Sequence, residues 1–138
     1  VDEVLVVGHS SGAHLGVSIL ADLDRAGRIP PDGPALGFLT VGQVVPMVSF
    51  LRDADRLRRD LHDLSVSDSL FWLDVTAPGD GCAFALCDPV SVSGVAPGDY
   101  DYFRITAGPK TLAERFTARA PSKSRITEAA SKFTSMAP

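Results

Sequence analysis

Residues 2–24, DEVLVVGHSSGAHLGVSILADLD, constrain the fold more than any other part of the chain. The apolar run at residues 4–7 is typical of a buried β-strand, and the apolar spacing after Gly12 is typical of a helix. Between them lies a G-x-S-x-G turn, Gly8-His9-Ser10-Ser11-Gly12. At such a turn, small residues two positions before and after the serine let strand and helix approach closely. The segment therefore predicts a strained corner from which the Ser10 hydroxyl projects clear of the sheet edge.

The residues after this turn continue to alternate between helix and strand patterns. Apolar positions three and four residues apart predict a first helix that ends near Gly27. Residues 35–42 (ALGFLTVG) and 69–76 (SLFWLDVT) are apolar enough to be buried strands, and residues 53–64 have the spacing of an amphipathic helix. The buried stripe of that helix is predicted to consist of Leu57, Leu61 and Leu64. The order β-α-β-α-β indicates an α/β fold with a parallel sheet and right-handed crossovers.

Patterning is weaker towards the C-terminus. We expect a short strand at residues 90–95, a last strand at residues 102–106 and a helix from Pro109 to about residue 119. A chain of 138 residues is long enough for one core. Residues 1–120 are therefore predicted to form a single domain, followed by a weakly patterned tail at residues 121–138.

The topology has a consequence for partners. Two right-handed crossovers that step the same way place both helices on one face of the sheet and leave the apolar strands of the other face uncovered. We expect that face to be covered by an N-terminal part of the fold that precedes this sequence, or by a second subunit.

Composition excludes several classes of function. Hydrophobic residues make up 45% of the chain, charged residues 22%, and the net charge is −4. Nucleic acid is not an expected partner, because phosphate binding needs a concentrated cationic face. The chain lacks an apolar run long enough for a membrane span, and its acidic, strand-like start is unlike a signal peptide. Cys82 and Cys87 lack zinc-site spacing, so we predict free thiols, no bound metal or cofactor, and a cytoplasmic location.

The turn also resembles that of a known superfamily. VVGHSSGAHLG is similar to the nucleophile elbow of α/β-hydrolases, and its continuation Ala13-His14-Leu15 resembles the G-H-S-x-G-x-H-L form of their esterase and formamidase branches. The resemblance covers residues 2–90 and corresponds to the C-terminal half of that fold. It implies a serine hydrolase of small-molecule esters or amides, with Ser10 as nucleophile and with Gly8 and Gly12 as the elbow glycines.

An acid that orients the catalytic base is expected in the loop after a later strand. Residues 71–84, FWLDVTAPGDGCAF, resemble the acid loop of lipase-like hydrolases, and Asp80 in its Gly-rich turn is the predicted acid. Asp74, inside the strand, and Asp88, further along, are alternatives. Asp80 also fits a purely structural role, because a turn aspartate often accepts hydrogen bonds from its own backbone.

The general base is not evident, because all three histidines precede Asp80. His9 flanks the nucleophile within the turn. His14 lies one helical turn beyond Ser10 and is expected to face neighbouring elements, and His62 is expected at the surface. The backbone N–H of Ser11, at the start of the helix, is the predicted oxyanion donor.

Two classes of function follow from this pattern. The first is the nucleophile-bearing part of a serine hydrolase whose general base and second oxyanion donor lie outside this sequence, upstream of it or between residues 95 and 99. The second is a non-catalytic α/β-hydrolase-like domain that binds or scaffolds. A Rossmann-like nucleotide binder is disfavoured, because the turn lacks G-x-G-x-x-G and no acidic residue closes the strand at residues 35–42.

Overall fold

Apolar runs and amphipathic segments alternate along the chain and form a parallel sheet with connecting helices. The computed structural model describes residues 1–77, 79–84 and 87–98, and the backbone of residues 104–106. The elements are β1 (Glu3–His9), α1 (Ser11–Arg25), β2 (Ala35–Val41), α2 (Val45–Ser49), α3 (Asp55–Val66), β3 (Phe71–Thr76), α4 (Pro89–Val92) and β4 (Arg104–Thr106). The predicted α/β class and the parallel sheet are confirmed.

The sheet has the strand order β1-β2-β3-β4, and every pair of neighbours is parallel. In the register, Val6 lies beside Phe38, and Phe38 lies beside Trp72. Because parallel strands end at the same edge of a sheet, the segments that follow β1, β2 and β3 meet at one edge.

Helices α1 and α3 pack side by side on one face of this sheet. Arg25 of α1 binds Asp60 and Asp63 of α3. The core beneath them contains Val6, Phe38 and Trp72 from the strands. Helices α1 and α3 contribute to this core the residues Ala13, Val17, Leu20, Ala21, Leu57, Leu61 and Leu64. The predicted buried stripe of the second amphipathic helix is therefore confirmed.

The face opposite the helices is not uniformly uncovered. Side chains alternate along a strand, so Leu39 and Leu73 point away from the face that carries Phe38 and Trp72. Both leucines are buried. Leu5 and Val7, on the same face of β1, are exposed. The exposed apolar surface is thus concentrated at the β1 edge of the sheet.

The prediction of a strand at residues 90–95 is wrong, because residues 89–92 form the short helix α4. The Asp88 side chain accepts a hydrogen bond from the N–H of Val90, and Pro89 occupies the first turn, where a proline fits a helix. Gly94, with a φ of 73°, follows the helix. Local cap chemistry therefore outweighs the β-propensity of the valines.

Other differences are small or lie elsewhere in the chain. Helix α2 was not predicted, and β3 begins at Phe71 rather than at residue 69. The three residues of β4 fall within the strand predicted at residues 102–106. The predicted helix after Pro109 and the tail at residues 121–138 lie outside the described residues.

Two composition-based predictions concern thiols and membranes. Cys82 and Cys87 are both free, as predicted. Within the described part of the chain, no helix combines the length and apolar character needed to span a bilayer.

Candidate functional site

Ser10 occupies a backbone conformation that L-amino acids rarely adopt. Its φ is 53° and its ψ is −117°, and it is the only non-glycine residue with positive φ in the described ranges. The Ser10 N–H donates to the carbonyl of Val41 (3.1 Å), and its carbonyl accepts from Ala13 (3.1 Å). These bonds hold the corner between β1, β2 and α1 in place. A strained residue persists only where its surroundings over-determine it, so this is the sharp strand-to-helix turn that the sequence predicts.

The Ser10 hydroxyl is not used to cap the helix. Serine is a favoured N-cap residue because its oxygen can accept an orphan N–H of the first turn. At Ser10, however, no side-chain cap hydrogen bond forms. The Ser10 hydroxyl is therefore not engaged by the helix end, and the side chain is half-buried.

The close approach of β1 and α1 depends on Gly8. A Cβ on Gly8 would lie 2.7 Å from the Gly12 carbonyl oxygen and 2.9 Å from the Ala13 Cα. A Cβ on Gly12 would meet nothing within 4 Å. Of the two predicted elbow glycines, only Gly8 therefore lies where there is no room for a Cβ atom. Sequence analysis missed Gly16, whose Cβ would lie 2.7 Å from the Phe38 ring.

The start of α1 offers hydrogen-bond donors beside Ser10. The first N–H groups of a helix have no acceptor within it, so those of Ser11 and Gly12 are free of intrahelical bonds. The helix has 15 residues and no acidic side chain in its first turn. The positive end of its dipole therefore favours negative charge at this corner.

Asp80 lies at the same edge of the sheet, next to the end of β2. The Gly42 N–H donates to the carbonyl of Val75 (3.0 Å), which joins the ends of β2 and β3. The Asp80 Oδ2 atom lies 2.9 Å from where a Cβ on Gly42 would stand. Because Ser10 bonds Val41 and Asp80 approaches Gly42, the two residues flank the carboxyl end of β2.

The other carboxylate oxygen of Asp80 is engaged in its own turn. Oδ1 accepts from the N–H groups of Cys82 (3.0 Å) and Ala83 (3.3 Å). This is the structural role weighed for Asp80 in the sequence. The bonds leave Oδ2 as the oxygen directed towards Gly42, so the turn also orients the carboxylate.

The two alternative acids have different surroundings. Asp74 is buried and accepts a hydrogen bond from the Thr40 hydroxyl (2.6 Å), which in turn accepts from the Trp72 indole (3.1 Å). It lies within β3, on the face covered by the helices. Asp88 caps α4 through the N–H of Val90 (2.9 Å) and also binds the Ser91 hydroxyl. Asp80 is the one of the three in the loop that immediately follows β3.

None of the histidines reaches this pair within the described residues. His9 is exposed, and His14 is half-buried with a buried Nδ1 that has no partner there. His62 is exposed, as predicted, and its Nδ1 lies 2.9 Å from the Val95 carbonyl oxygen. In the part of the chain described, no hydrogen bond joins a histidine ring to Ser10 or Asp80.

Gln43 is a positioning residue that sequence analysis missed. Its side chain is fully buried, accepts from the Val45 N–H (2.9 Å), and donates to the carbonyls of Cys87 (3.1 Å) and Phe84 (3.4 Å). Its backbone carbonyl accepts from the Phe84 N–H (3.1 Å). Gln43 therefore ties the far side of the Asp80 loop to the end of β2. The available signal was a polar residue directly after an apolar strand.

Replacing Ser10 with glycine should stabilise the protein relative to alanine. Alanine must keep the positive φ, whereas glycine adopts it without a steric penalty. Backbone strain of this kind costs about 1–3 kcal/mol. Glycine avoids this cost, but it loses more chain entropy on folding than alanine does, which offsets part of the gain. We expect Ser10→Gly to exceed Ser10→Ala by about 1 kcal/mol in the free energy of unfolding, measured by urea denaturation. Equal stability of the two variants would contradict the strained corner.

The site as described consists of a serine, backbone N–H groups and a carboxylate. Among the described residues, no group of three or more His, Cys, Asp or Glu side chains could hold a metal ion. Comparison of the chain with protein-family models, with curated proteins and with solved structures gives no match.

Proposed function

We propose that this chain carries the nucleophile of a serine hydrolase that acts on small-molecule esters or amides, in a partial α/β-hydrolase fold. The observation that carries the proposal is the Ser10 backbone, with φ 53° and ψ −117°, at the carboxyl end of a parallel strand. The helix that follows adds donors for an anion. Strain of this kind is found where a side chain must be held for function.

In the proposed reaction, Ser10 Oγ attacks the substrate carbonyl carbon and its proton passes to a general base. The carbonyl oxygen becomes an oxyanion, which accepts a hydrogen bond from the Ser11 N–H. The alcohol or amine leaves with a proton from the base, and water then releases the acyl group from Ser10. Asp80 orients the base and stabilises its charged form.

The base in this proposal is a histidine from polypeptide outside this sequence, because no histidine follows Asp80. It would lie above the carboxyl end of β2, between Ser10 and Asp80. We infer this location of the base from the geometry of the reaction, since one ring nitrogen must reach the Ser10 hydroxyl while the other faces the acid.

A non-catalytic binding or scaffolding domain is the second candidate. It is favoured by the Asp80 Oδ1 atom, which already accepts two backbone hydrogen bonds. In that case the Ser10 corner would hold an anionic or carbonyl ligand without covalent chemistry. The two candidates differ in whether Ser10 can be acylated or phosphonylated.

A fluorophosphonate probe tests the proposal on this chain. Labelling should be slow, because a positioned base contributes roughly 10²–10⁴-fold and no base contacts Ser10 among the residues that the structure describes. Added imidazole, acting as an external base, should accelerate labelling at least about tenfold. Intact-mass and peptide mass spectrometry should place the adduct on Ser10.

Two variants control this experiment. Ser10→Ala should abolish the imidazole-dependent adduct, whereas Ser11→Ala should retain it, because the Ser11 donor is a backbone N–H. Equal labelling of wild type and Ser10→Ala would refute the nucleophile. A folded chain that gives no Ser10 adduct at any imidazole concentration would favour the non-catalytic domain.

A further inference from the structure

Helix α2 belongs to a segment that is apolar on every side but is buried on only one side among the described residues. Residues 44–51, VVPMVSFL, contain a single polar side chain, that of Ser49. Val45 and Ser49 are buried. The uncovered side carries three side chains that are between 59% and 62% exposed, those of Met47, Phe50 and Leu51. A helix that is apolar all round is normally covered on every side, so these three residues are expected to contact a ligand or a further segment.

The three exposed residues form one surface with Phe84. Positions 47, 50 and 51 are three and four residues apart, which places them on the same side of a helix. The helical turn continues past the end of α2, because the Phe50 N–H donates to the carbonyl of Pro46 (3.1 Å) and the Leu51 N–H to that of Val48 (3.0 Å). The Phe50 ring meets the half-buried Phe84 ring edge-on, with 6.5 Å between their centroids. We call the following four residues the apolar wall: Met47, Phe50, Leu51 and Phe84.

Arg58 of α3 holds the backbone that carries this wall. Its Nη1 donates to the carbonyls of Ser49 (2.6 Å) and Leu51 (3.0 Å), and its Nη2 donates to the carbonyl of Arg52 (3.1 Å). Carbonyls at the end of a helix have no donor within the helix, and here the guanidinium supplies one. Because the backbone is held in this way, the fold itself presents Phe50 and Leu51 to the solvent.

The apolar wall is continuous with the candidate site. Phe84 belongs to the loop that carries Asp80, and its N–H donates to the carbonyl of Gln43 (3.1 Å). The Ser10 N–H donates to the carbonyl of Val41 (3.1 Å), two residues before Gln43. Because two extended residues span about 7 Å, the backbone nitrogens of Ser10 and Phe84 lie within roughly 15 Å of each other. A long alkyl chain of a substrate bound at Ser10 can reach the wall, whereas a short one cannot.

The order of groups at this edge indicates which part of a substrate faces the wall. In the proposed reaction the base lies between Ser10 and Asp80 and donates a proton to the leaving alcohol or amine. The leaving group therefore lies on the Asp80 side of Ser10. Phe84, in the Asp80 loop, places the wall on that side as well. The wall offers no charge and supplies only apolar contacts, which favour an apolar leaving group.

Polypeptide that completes the partial fold is compatible with this arrangement. It would extend the sheet beyond β1, the outer strand of the order β1-β2-β3-β4, whereas the wall belongs to the segments that follow β2 and β3.

We propose that the apolar wall binds the alkyl chain of the alcohol or amine portion of the substrate, so that Ser10 acts on esters or amides of long-chain alcohols or amines. This inference rests on the proposed function for the place of the carbonyl, and it adds the class of leaving group. Phe50 and Leu51 are the specificity-determining residues of the proposal.

Binding of primary alcohols to the full chain tests the wall without requiring any reaction at Ser10. In a nuclear magnetic resonance titration, 1-octanol should bind at least about tenfold more tightly than 1-butanol, because each methylene that leaves water contributes up to about fourfold. Phe50→Ser and Leu51→Ser should each weaken the binding of 1-octanol about three- to fivefold and leave that of 1-butanol unchanged. Equal affinity of wild type for the two alcohols would overturn the proposal.

Ile19→Ser is the matched control, because Ile19 and Leu51 are both 59% exposed and Ile19 lies on α1, outside the wall. It should leave the binding of 1-octanol unchanged. A loss as large as that of Leu51→Ser would show that the alcohol binds apolar surface in general and would overturn the wall.

Octanoate tests the orientation of the substrate. Its carboxylate mimics the acyl product, so its chain should point away from the wall and its affinity should not change in Leu51→Ser. An effect of Leu51→Ser on octanoate but not on 1-octanol would overturn the assignment to the leaving group. Fluorophosphonate labelling of Ser10 is a separate measurement. A labelled Ser10 without a preference for 1-octanol refutes the wall alone, and a preference that depends on Leu51 without labelling refutes the hydrolase alone.

Discussion

Gly8→Ala should destabilise the protein by about 3 kcal/mol, whereas Gly12→Ala should stabilise it slightly. The new Cβ at position 8 would lie 2.7 Å from the Gly12 carbonyl oxygen and 2.9 Å from the Ala13 Cα. Both are backbone atoms, so β1 and α1 would have to move apart, and overpacking of this kind costs about 1–3 kcal/mol or more. At Gly12 the space is empty and φ is not positive.

Gly12→Ala is expected to stabilise the protein because the substitution changes the conformational entropy of the unfolded chain. Alanine loses less conformational entropy than glycine when a helix forms, which is worth about 0.5–1 kcal/mol in a helix interior and less near its start. Urea denaturation followed by Trp72 fluorescence measures both variants. Gly12→Ala should also keep the imidazole-dependent labelling of Ser10, and Gly8→Ala should lose it. Equal losses of stability in the two variants would contradict the packing of this corner.

Arg25→Met should lower the free energy of unfolding by about 2–3 kcal/mol. The Asp60 side chain is 0% exposed, and its Oδ1 lies 2.6 Å from Arg25 Nη2. Removing one member of a buried ion pair leaves the other charge without compensation, which costs about 3–5 kcal/mol. We expect a loss at or below the lower end of that range, because the Arg25 side chain is 35% exposed and water can reach the site.

The same residues supply the controls. Arg56 is 63% exposed, and its Nε lies 3.6 Å from Asp60 Oδ2, too far for a hydrogen bond. Arg56→Met should therefore cost less than about 1 kcal/mol. The double variant Arg25→Met/Asp60→Leu should recover most of the lost stability, because apolar residues can replace a buried pair. A double variant as unstable as Arg25→Met would contradict this account.

The effect of Arg25→Met should also depend on pH. The hydrogen bond from Arg25 lowers the pKa of Asp22 below its ordinary value of 3.8. A carboxylate with a lowered pKa stabilises the folded protein above its ordinary pKa, and this stabilisation disappears as the pH falls through the lowered value. Below pH 3.8 the difference between wild type and Arg25→Met should therefore shrink. A difference that grows in acid would have the wrong sign.

Local residues were sufficient to predict the corner and, apart from the short helix α2, the order of elements from β1 to β3. The apolar run of β1, the glycine at position 8 and the amphipathic spacing of α1 act over a few residues, so each can be recognised in the sequence. The stripe formed by Leu57, Leu61 and Leu64 was predicted for the same reason. Where two local signals competed, at residues 89–92, the Asp88 cap and Pro89 outweighed the valines.

What the sequence by itself determined about this protein is thus its α/β order and the strained turn at Ser10. Only the tertiary structure decided that Asp80 lies beside Gly42, that Gln43 holds the Asp80 loop, and that Asp60 is buried beneath Arg25. Each of these contacts joins residues that are distant in the chain. Their energies depend on burial and on the approach of packed elements, which no local spacing encodes.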